Sequence, residues 1–480
     1  MTDVAAYAIA QSTLGLRDLF VLPVFTRMLG AEGYGIYTQL SVTVTLLAPV
    51  VTFRLGTAIV RFLPSERDSA GFWQYCQSGL IWSTCTTLVL AMVLIAFPRA
   101  VSEIVFGDSA YSEFVVLGTL LLISTAVSIY ARSYLRAVQR VKILAVILLL
   151  QSTLEVVLSL VAVHSGYGVG GALWALVVVR AGLSVWMLGP VFRNLGQLAL
   201  KWGPLREMLA YSIPLMPELA LYWVNRHINR IVIAQLLGIS SVGVYSAAYS
   251  LSVSVKFLLS PIGIVIFPLL SKHWDLEHFD QVRQYFAHVN RFGIYISLPA
   301  CVGLAAISQP LLRVVATPDF AITELLVFFI AFGVAANGLL QINSYAFYLV
   351  RATTQITVIL LLGSILNVGL NILLVSSLGV LGSGIGTATA FAVLAVAALI
   401  KGGQQIGYGV SFLDIGRAVV ASTAMAGLMS WFPMEGLPQV LMAGLSGIVL
   451  YVAVVLLTGG VTWLEITNTY RWIVSLAGAD

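Results

Sequence analysis

The chain of 480 residues is 59% hydrophobic and only 9% charged, against roughly 25% charged in an average soluble domain. It has too little polar surface to enclose its apolar residues in water, which excludes a soluble globular protein. The formal net charge of +5 does not point to nucleic acid, because the basic residues are distributed by connection rather than massed in one patch.

A membrane-crossing helix needs about 20 apolar residues, and fourteen such runs follow one another with short polar breaks. They lie near 4–26, 36–60, 76–98, 113–135, 142–163, 169–192, 209–234, 242–270, 289–312, 320–349, 354–377, 381–402, 413–432 and 438–458. Continuous runs of this length, rather than short alternating ones, exclude an outer-membrane barrel. The expected fold class is therefore an all-α polytopic membrane protein. The start, MTDVAAYAIA, lacks a basic segment and a small-residue cleavage site, so the first helix is expected to remain in the mature protein. Cys76, Cys85 and Cys301 sit in apolar runs with no metal spacing and read as small hydrophobes.

Of the 25 Lys and Arg, sixteen fall in even-numbered connections and the C-terminal tail, three in odd-numbered ones (Arg27, Arg99, Arg313) and six inside helices. By the positive-inside rule the even side is cytoplasmic, with both termini on that side. The longest cytoplasmic connection, Lys272 to Arg291, alternates aromatic residues with charges of both signs and is expected to form an interfacial amphipathic helix. Its histidines, His273, His278 and His288, read as part of that solvated face rather than as a metal site.

Residues Arg17 to Tyr37, RDLFVLPVFTRMLGAEGYGIY, recur. A shift of 208 places Leu29, Gly30, Gly35 and Tyr37 on Leu237, Gly238, Gly243 and Tyr245, and Arg17/Asp18 on Asn225/Arg226. With a shift of 211, Arg140 meets Arg351, Gly168 meets Gly379 and Gly171 meets Gly382. The first six helices and the next six are thus two copies of one unit. Separated by an even number of helices, they keep the same orientation across the membrane. The organisation expected is an N-lobe over 1–200, a C-lobe over 201–405, and two further helices with a tail over 406–480. The glycine clusters at 166–171 and 379–386 follow no strand, so they read as close helix packing and not as a dinucleotide fingerprint.

Buried charge is the strongest functional signal, since an Arg, Lys or Asp at mid-bilayer costs about 2.5 to 3.5 kcal/mol on insertion scales. The candidates are Arg17 and Asp18 in the first helix, Arg54 in the second, Glu155 in the fifth and Arg180 in the sixth. The seventh adds Glu218, Arg226 and Arg230, and the eighth Lys256. In the seventh, Glu218, Tyr222, Asn225 and Asn229 share a stripe, bordered by Arg226 and Arg230. Helices one, two, seven and eight also carry Pro23, Pro49, Pro214, Pro217 and Pro261, as helices beside a wet cavity can. The expected cavity lies between the lobes. Internal pairing of Arg230 with Glu218 and of Arg180 with Glu155 is the plainer alternative, but three acids cannot neutralise six bases. The residual positive field favours an anion, and the planar donor fork of arginine suits phosphate oxygens. Arg54 and Arg61, seven apart, are placed to hand such a group inward from the cytoplasmic mouth, with snorkelling of Arg61 near its helix end as the alternative. Asp18, Glu155 and Glu218 are the candidates for coupling to H+ or Na+.

At Arg27, Leu29, Gly30, Glu32, Tyr34, Gly35 and Tyr37, followed by Leu55, Gly56 and Arg61, the sequence resembles the polysaccharide transporter family of oligosaccharide flippases. These Wzx-like proteins share a superfamily with multidrug and toxin extruders and lipid II flippases. The resemblance implies two pseudo-symmetric six-helix lobes in a V, plus two C-terminal helices. They would carry a polyprenyl-diphosphate-linked oligosaccharide outward by alternating access in a bacterial or archaeal cytoplasmic membrane. In lipid II flippases cavity arginines come from the first two helices and from the second lobe's first pair, and Arg17, Arg54 and Arg230 are the counterparts here. Phe53 and Arg54 look like the motif near the end of the second helix, although Leu55 and Gly56 stand where those proteins carry a second arginine. The substrate-binding set is thus Arg17, Asp18, Arg54, Tyr222, Asn225, Arg226, Arg230 and Lys256, with no catalytic residue and no bound metal or cofactor. The implied partners are the lipid-linked oligosaccharide diphosphate, membrane lipids and polysaccharide polymerase machinery, and no nucleic acid. A multidrug exporter of the same architecture would need a negatively lined pocket, which the arginine excess opposes. An enzyme would need a larger outer loop or a metal-binding carboxylate pair.

Overall fold

The computed structural model describes residues 2–63, 71–193, 200–315, 320, 322–434 and 436–461. The side chains of 2–20, 193, 260, 261, 264, 265 and 313–315 lie outside that description. Helix follows helix, as expected in a medium where each segment must satisfy its own backbone polar groups. The first two predicted helices form α1 (Thr2–Val51), finished by α2 (Leu55–Phe62). Then come α3 (Gly71–Ala96), a short α4 (Pro98–Phe106), α5 (Ser112–Ala137), α6 (Val141–Ala162) and α7 (Gly168–Arg193). The seventh predicted helix is divided into α8 (Trp202–Ser212) and α9 (Met216–Leu237), and the eighth into α10 (Ile239–Ser252) and α11 (Ser254–Asp275). The chain continues with α12 (Phe279–Val315), α13 (Glu324–Leu349), α14 (Thr353–Leu378), α15 (Val380–Ile406), α16 (Phe412–Met429) and α17 (Leu437–Leu457). Every predicted run falls on a helix, and among the described residues eleven stretches are long and apolar enough to cross a membrane.

The repeat is visible in the backbone. Gly30 (φ 66, ψ −174) turns α1 over within its length, and Gly238 (φ 82, ψ 170) separates α9 from α10 in nearly the same conformation. Gly168 and Gly379 likewise share a left-handed φ, 55 and 62. Helix ends are less obvious. Phe53, Gln139, Glu277 and Arg351 all have positive φ, and each is the penultimate residue of a Schellman end. At the first of these, the Arg54 amide bonds the Pro49 carbonyl at 3.0 Å and the Phe53 amide bonds that of Val50 at 2.9 Å. That position is normally glycine, so these ends were hidden from the sequence.

One expectation is corrected here. The 272–291 connection forms no separate interfacial helix, because α11 continues to Asp275 and α12 starts at Phe279 with 37 residues. The tight end at Glu277 joins two long helices directly, and the amphipathic stretch becomes the first turns of α12.

Contacts divide the chain into two units. The first is Met1–Ser250 with Val315–Phe320 and Asn371–Val380; the second is Leu251–Val314, Ala321–Leu370 and Leu381–Asp480. Within the first, Leu55, Ile59, Phe72, Tyr130, Leu144 and Leu205 belong to one apolar core. The two glycine hairpins also meet there backbone to backbone. A methyl added at Gly35 would overlap the carbonyl oxygen of Ile239, and one added at Gly243 would overlap that of Ala31. Since Ile239 is Ala31 shifted by 208, the contact is reciprocal. Nearby, the Tyr34 hydroxyl lies 3.1 Å from that of Ser250, and Gln235 donates to the Glu103 and Ile104 carbonyls at 2.6 and 3.0 Å.

Within the second unit, the amides of Asn290 and Asn343 bond each other at 3.1 and 2.8 Å, and Tyr408 donates to Asn343 at 2.9 Å. Of the two C-terminal helices, α16 is fastened to α12 by Asp414, which faces Arg291 at 3.4 Å and its own helix's Arg417 at 3.5 Å and accepts from Tyr295 at 3.0 Å, and α17 by Tyr451, which donates to the Tyr295 carbonyl at 2.7 Å. These polar anchors satisfy buried groups that lipid could not.

Candidate functional site

The stripe expected on the seventh helix is carried by α9. Trp223, Asn225, Asn229 and Arg230 are buried, while Tyr222, Arg226 and His227 are half-buried. The Arg230 guanidinium is enclosed by uncharged groups. Its Nε donates to Ser246 Oγ at 3.1 Å, and its Nη1 lies 3.2 Å from His227 Nδ1. Its plane sits over the Tyr249 ring at 4.6 Å and near the Tyr245 ring at 5.6 Å. Asn229 Nδ2 donates to the Tyr245 hydroxyl, while Asn229 Oδ1 accepts from the Arg230 amide at 3.0 Å. Asn225 returns its amide to the Leu221 carbonyl at 3.1 Å, and Trp223 Nε1 donates to Val42 O at 3.2 Å, tying α9 to α1. Among the described residues neither Arg226 nor Arg230 has a carboxylate within ion-pairing distance. Aromatic faces hold a cation by their quadrupole without cancelling its charge.

The considered pairing of Arg230 with Glu218 does not occur. Twelve residues along one helix separate them by about 18 Å. Glu218 instead lies 3.8 Å from Arg54 Nη1, with its side chain 52% exposed. Arg54 occupies a break: α1 ends at Val51, Phe53 and Arg54 are both left-handed (φ 49 and 52), and α2 starts at Leu55. Two such non-glycine residues cost of order 1–3 kcal/mol each unless the surroundings fix them. Thr86 Oγ1 donates to the freed Val51 carbonyl at 2.6 Å, and Gly56 packs without a side chain against Ser133. Arg54 Nη1 donates to Leu215 O at 2.5 Å, where the seventh helix is itself broken by a 3-10 turn over Ile213–Leu215 that contains Pro214, with Pro217 in the first turn of α9. Two interrupted helices therefore meet through Arg54. The same break sets Arg54 apart from Arg61, since Arg54 precedes α2 and only Arg61 belongs to it.

The alternative pairing of Arg180 with Glu155 is present. Arg180 Nε donates to Glu155 Oε1 at 2.9 Å, Gln151 Nε2 donates to the same oxygen at 2.8 Å, and Arg180 Nη1 donates to Thr125 Oγ1 at 2.7 Å. Glu155 has a side chain with no exposed area, so this charge is neutralised in place, joining α5, α6 and α7. Lys256 is half-buried and belongs to the second unit. The side chains of Arg17 and Asp18 lie outside the described residues. Sequence reasoning passed over His227, Ser246 and Tyr249, and took Tyr245 only as a mark of the repeat. The spacing of three between His227 and Arg230 was readable, but the partners from α10 were not.

The polysaccharide biosynthesis protein family matches residues 1–274, and the lipid II flippase MurJ family matches residues 184–446. A probable low-salt glycan biosynthesis flippase, Agl15, from Haloferax volcanii is 22% identical over 464 residues, covering 94% of each chain. An uncharacterized membrane protein in the cps region of Klebsiella pneumoniae is 30% identical over 110 residues, 23% of this chain and 22% of its own. Among solved structures, lipid II flippase MurJ in an inward closed conformation superposes with a TM-score of 0.76 at 15% identity, covering 98% of this chain and 99% of its own. An inward-facing multidrug resistance MATE family transporter of the MOP superfamily gives 0.69 at 15% identity, covering 84% and 98%. These two likenesses define the fold. With more than half of its length matched by the family model, the chain belongs to the polysaccharide biosynthesis protein family.

Proposed function

We propose that the protein is a flippase that carries a polyprenyl-diphosphate-linked oligosaccharide, a surface polysaccharide precursor, from the cytoplasmic to the outer leaflet by alternating access. The observation that carries this reading is the pair of guanidiniums on α9, Arg226 and Arg230, with no carboxylate among the described residues to cancel them. Arg54, offset only in part by Glu218, adds to the same sign. A diphosphate supplies the missing negative charge, and half-buried Arg226 is the fork most open to it. The glycan occupies the polar surface beside Tyr222 and Asn225, and the prenyl chain stays in lipid. No covalent step is involved.

Support comes also from the relatives, since Agl15 is described as a glycan biosynthesis flippase. The MurJ fold takes in nearly the whole chain whereas the MATE fold leaves part uncovered. Cationic drug export, the alternative, would require acidic groups where α9 places arginines. Arg17 and Asp18 complete the proposed binding set of the first unit, and Lys256 is the binding residue proposed for the second. Of the carboxylates proposed for H+ or Na+ coupling, Glu155 is held by Arg180, which leaves Asp18 and Glu218. The proposed location is the cytoplasmic membrane of a bacterium or archaeon with both termini inside, and polysaccharide polymerase machinery is the proposed downstream partner. The test is proteoliposome flipping of a fluorescent prenyl-diphosphate oligosaccharide. Arg54→Ala and Arg226→Ala are each expected to slow it about 10-fold or more, the value of a charge-assisted hydrogen bond. Parental rates in both variants, or drug efflux without lipid movement, would overturn the assignment.

A further inference from the structure

Arginine has donors and no acceptor. The ring nitrogen that His227 presents to Arg230 at 3.2 Å, Nδ1, must therefore be the acceptor, so the proton sits on Nε2 and the imidazole is neutral. A second proton would fall on Nδ1. It would remove the hydrogen bond to Arg230 and set a third positive charge beside two others, since the charged groups that bear on the ring among the described residues are Arg230 and Arg226 of its own helix. The carboxylate of Glu218 is nine residues back on α9, about 14 Å away. From α10 come only the phenols of Tyr245 and Tyr249 and the hydroxyl of Ser246, all turned to Arg230 or Asn229. α1 offers the Val42 carbonyl to Trp223, whose ring lies 5.7 Å from that of His227. α4 meets α9 two turns further along, where Gln235 bonds the Glu103 carbonyl.

An anion reverses both obstacles. It draws the Arg230 fork onto its own oxygens, freeing Nδ1, and it cancels the positive field that opposes an imidazolium. We propose that His227 is a proton site coupled to anion binding: neutral while the Arg226–Arg230 cluster is empty, and protonated when a diphosphate occupies it. This rests on the anion reading of the cluster given above. Linkage then fixes the sign. A group that gains a proton on binding makes the ligand bind more tightly as pH falls, by up to about tenfold per pH unit between its empty and occupied titrations. Each bound headgroup brings one proton into the membrane interior with it, which reduces the negative charge being moved.

The experiment is calorimetric titration of the purified full chain with a prenyl-diphosphate-N-acetylglucosamine, a diester with no titrating proton near neutral pH. It is run in buffers of different ionisation enthalpy and at several pH values. The expected result is uptake of about one proton per ligand by the parent, with affinity rising toward acid pH. His227→Asn, which keeps an acceptor near the Nδ1 position, should bind with no proton uptake and no pH dependence, and His227→Gln serves as the second variant. Binding by the parent without proton uptake overturns the proposal, even if neither variant folds. Equal uptake by parent and His227→Asn overturns it as well. A parent that fails to bind the diester at any pH overturns the anion reading instead, and this inference with it.

Discussion

Arg180 and Arg230 each bring a guanidinium into the helical interior of the first unit, and they are accommodated in opposite ways. Arg180 is met by a fully buried carboxylate that also receives Gln151, so its charge ends where it starts. Arg230 is met by two phenol rings, a serine hydroxyl and a neutral ring nitrogen, none of which can cancel it. The first arrangement fixes three helices and leaves no field. The second keeps a positive charge in place for something else to neutralise. Charge in a membrane core is thus informative chiefly through its partners, and an arginine held by aromatic faces is the better candidate for binding than one held by an acid.

That contrast can be broken most forcefully at Glu155. Glu155→Ala strands Arg180 without a counter-charge and is expected to cost about 3–5 kcal/mol, read as a large fall in thermal unfolding temperature in detergent. If the midpoint barely moves, Arg180 does not depend on its acid and the distinction fails. Arg226→Ala should behave in the reverse manner. Its unfolding midpoint should stay near that of the parent, while affinity for a diphosphate lipid falls by about 10- to 100-fold, the equivalent of roughly 1.5–3 kcal/mol of charge-assisted hydrogen bonding. Tyr249→Leu removes one face of the Arg230 cage and should destabilise by about 1 kcal/mol in the same melt, with a weaker effect on affinity. The smallest net effect is expected from exchanging both Arg180 and Glu155 for methionine. Replacing a buried pair by packed apolar groups is about neutral or mildly stabilising, and flipping should persist because no field is lost.

Much of this was legible in the chain. Apolar run length located the long helices but not the short α4 or most of α8, and glycines 208 apart marked both hairpins because only a residue without Cβ tolerates those backbone angles. Arg180 and Glu155 could be paired by their isolation in otherwise apolar segments. The failures have physical causes. Glu218 finds Arg54 rather than Arg230 because helical rise separates two residues that the list of buried charges set side by side. The breaks beside Arg54 and Glu277 use left-handed phenylalanine, arginine and glutamate where a reader of sequence looks for glycine. The Arg230 cage is assembled from two helices, and only its α9 half has a spacing to read.

The backbone contact between the hairpins carries a message about ancestry. Gly35 meets Ile239, and Gly243 meets Ala31, so each copy gives the other what it receives. Two identical chains make that kind of contact across a two-fold axis. A forebear holding a single copy could have formed it with a second molecule of itself, as a homodimer in which one substitution struck both sides at once. Joined in one chain, the two sides are free to diverge. The copies have done so at Arg17/Asp18 and Asn225/Arg226 while keeping the glycines that let them touch.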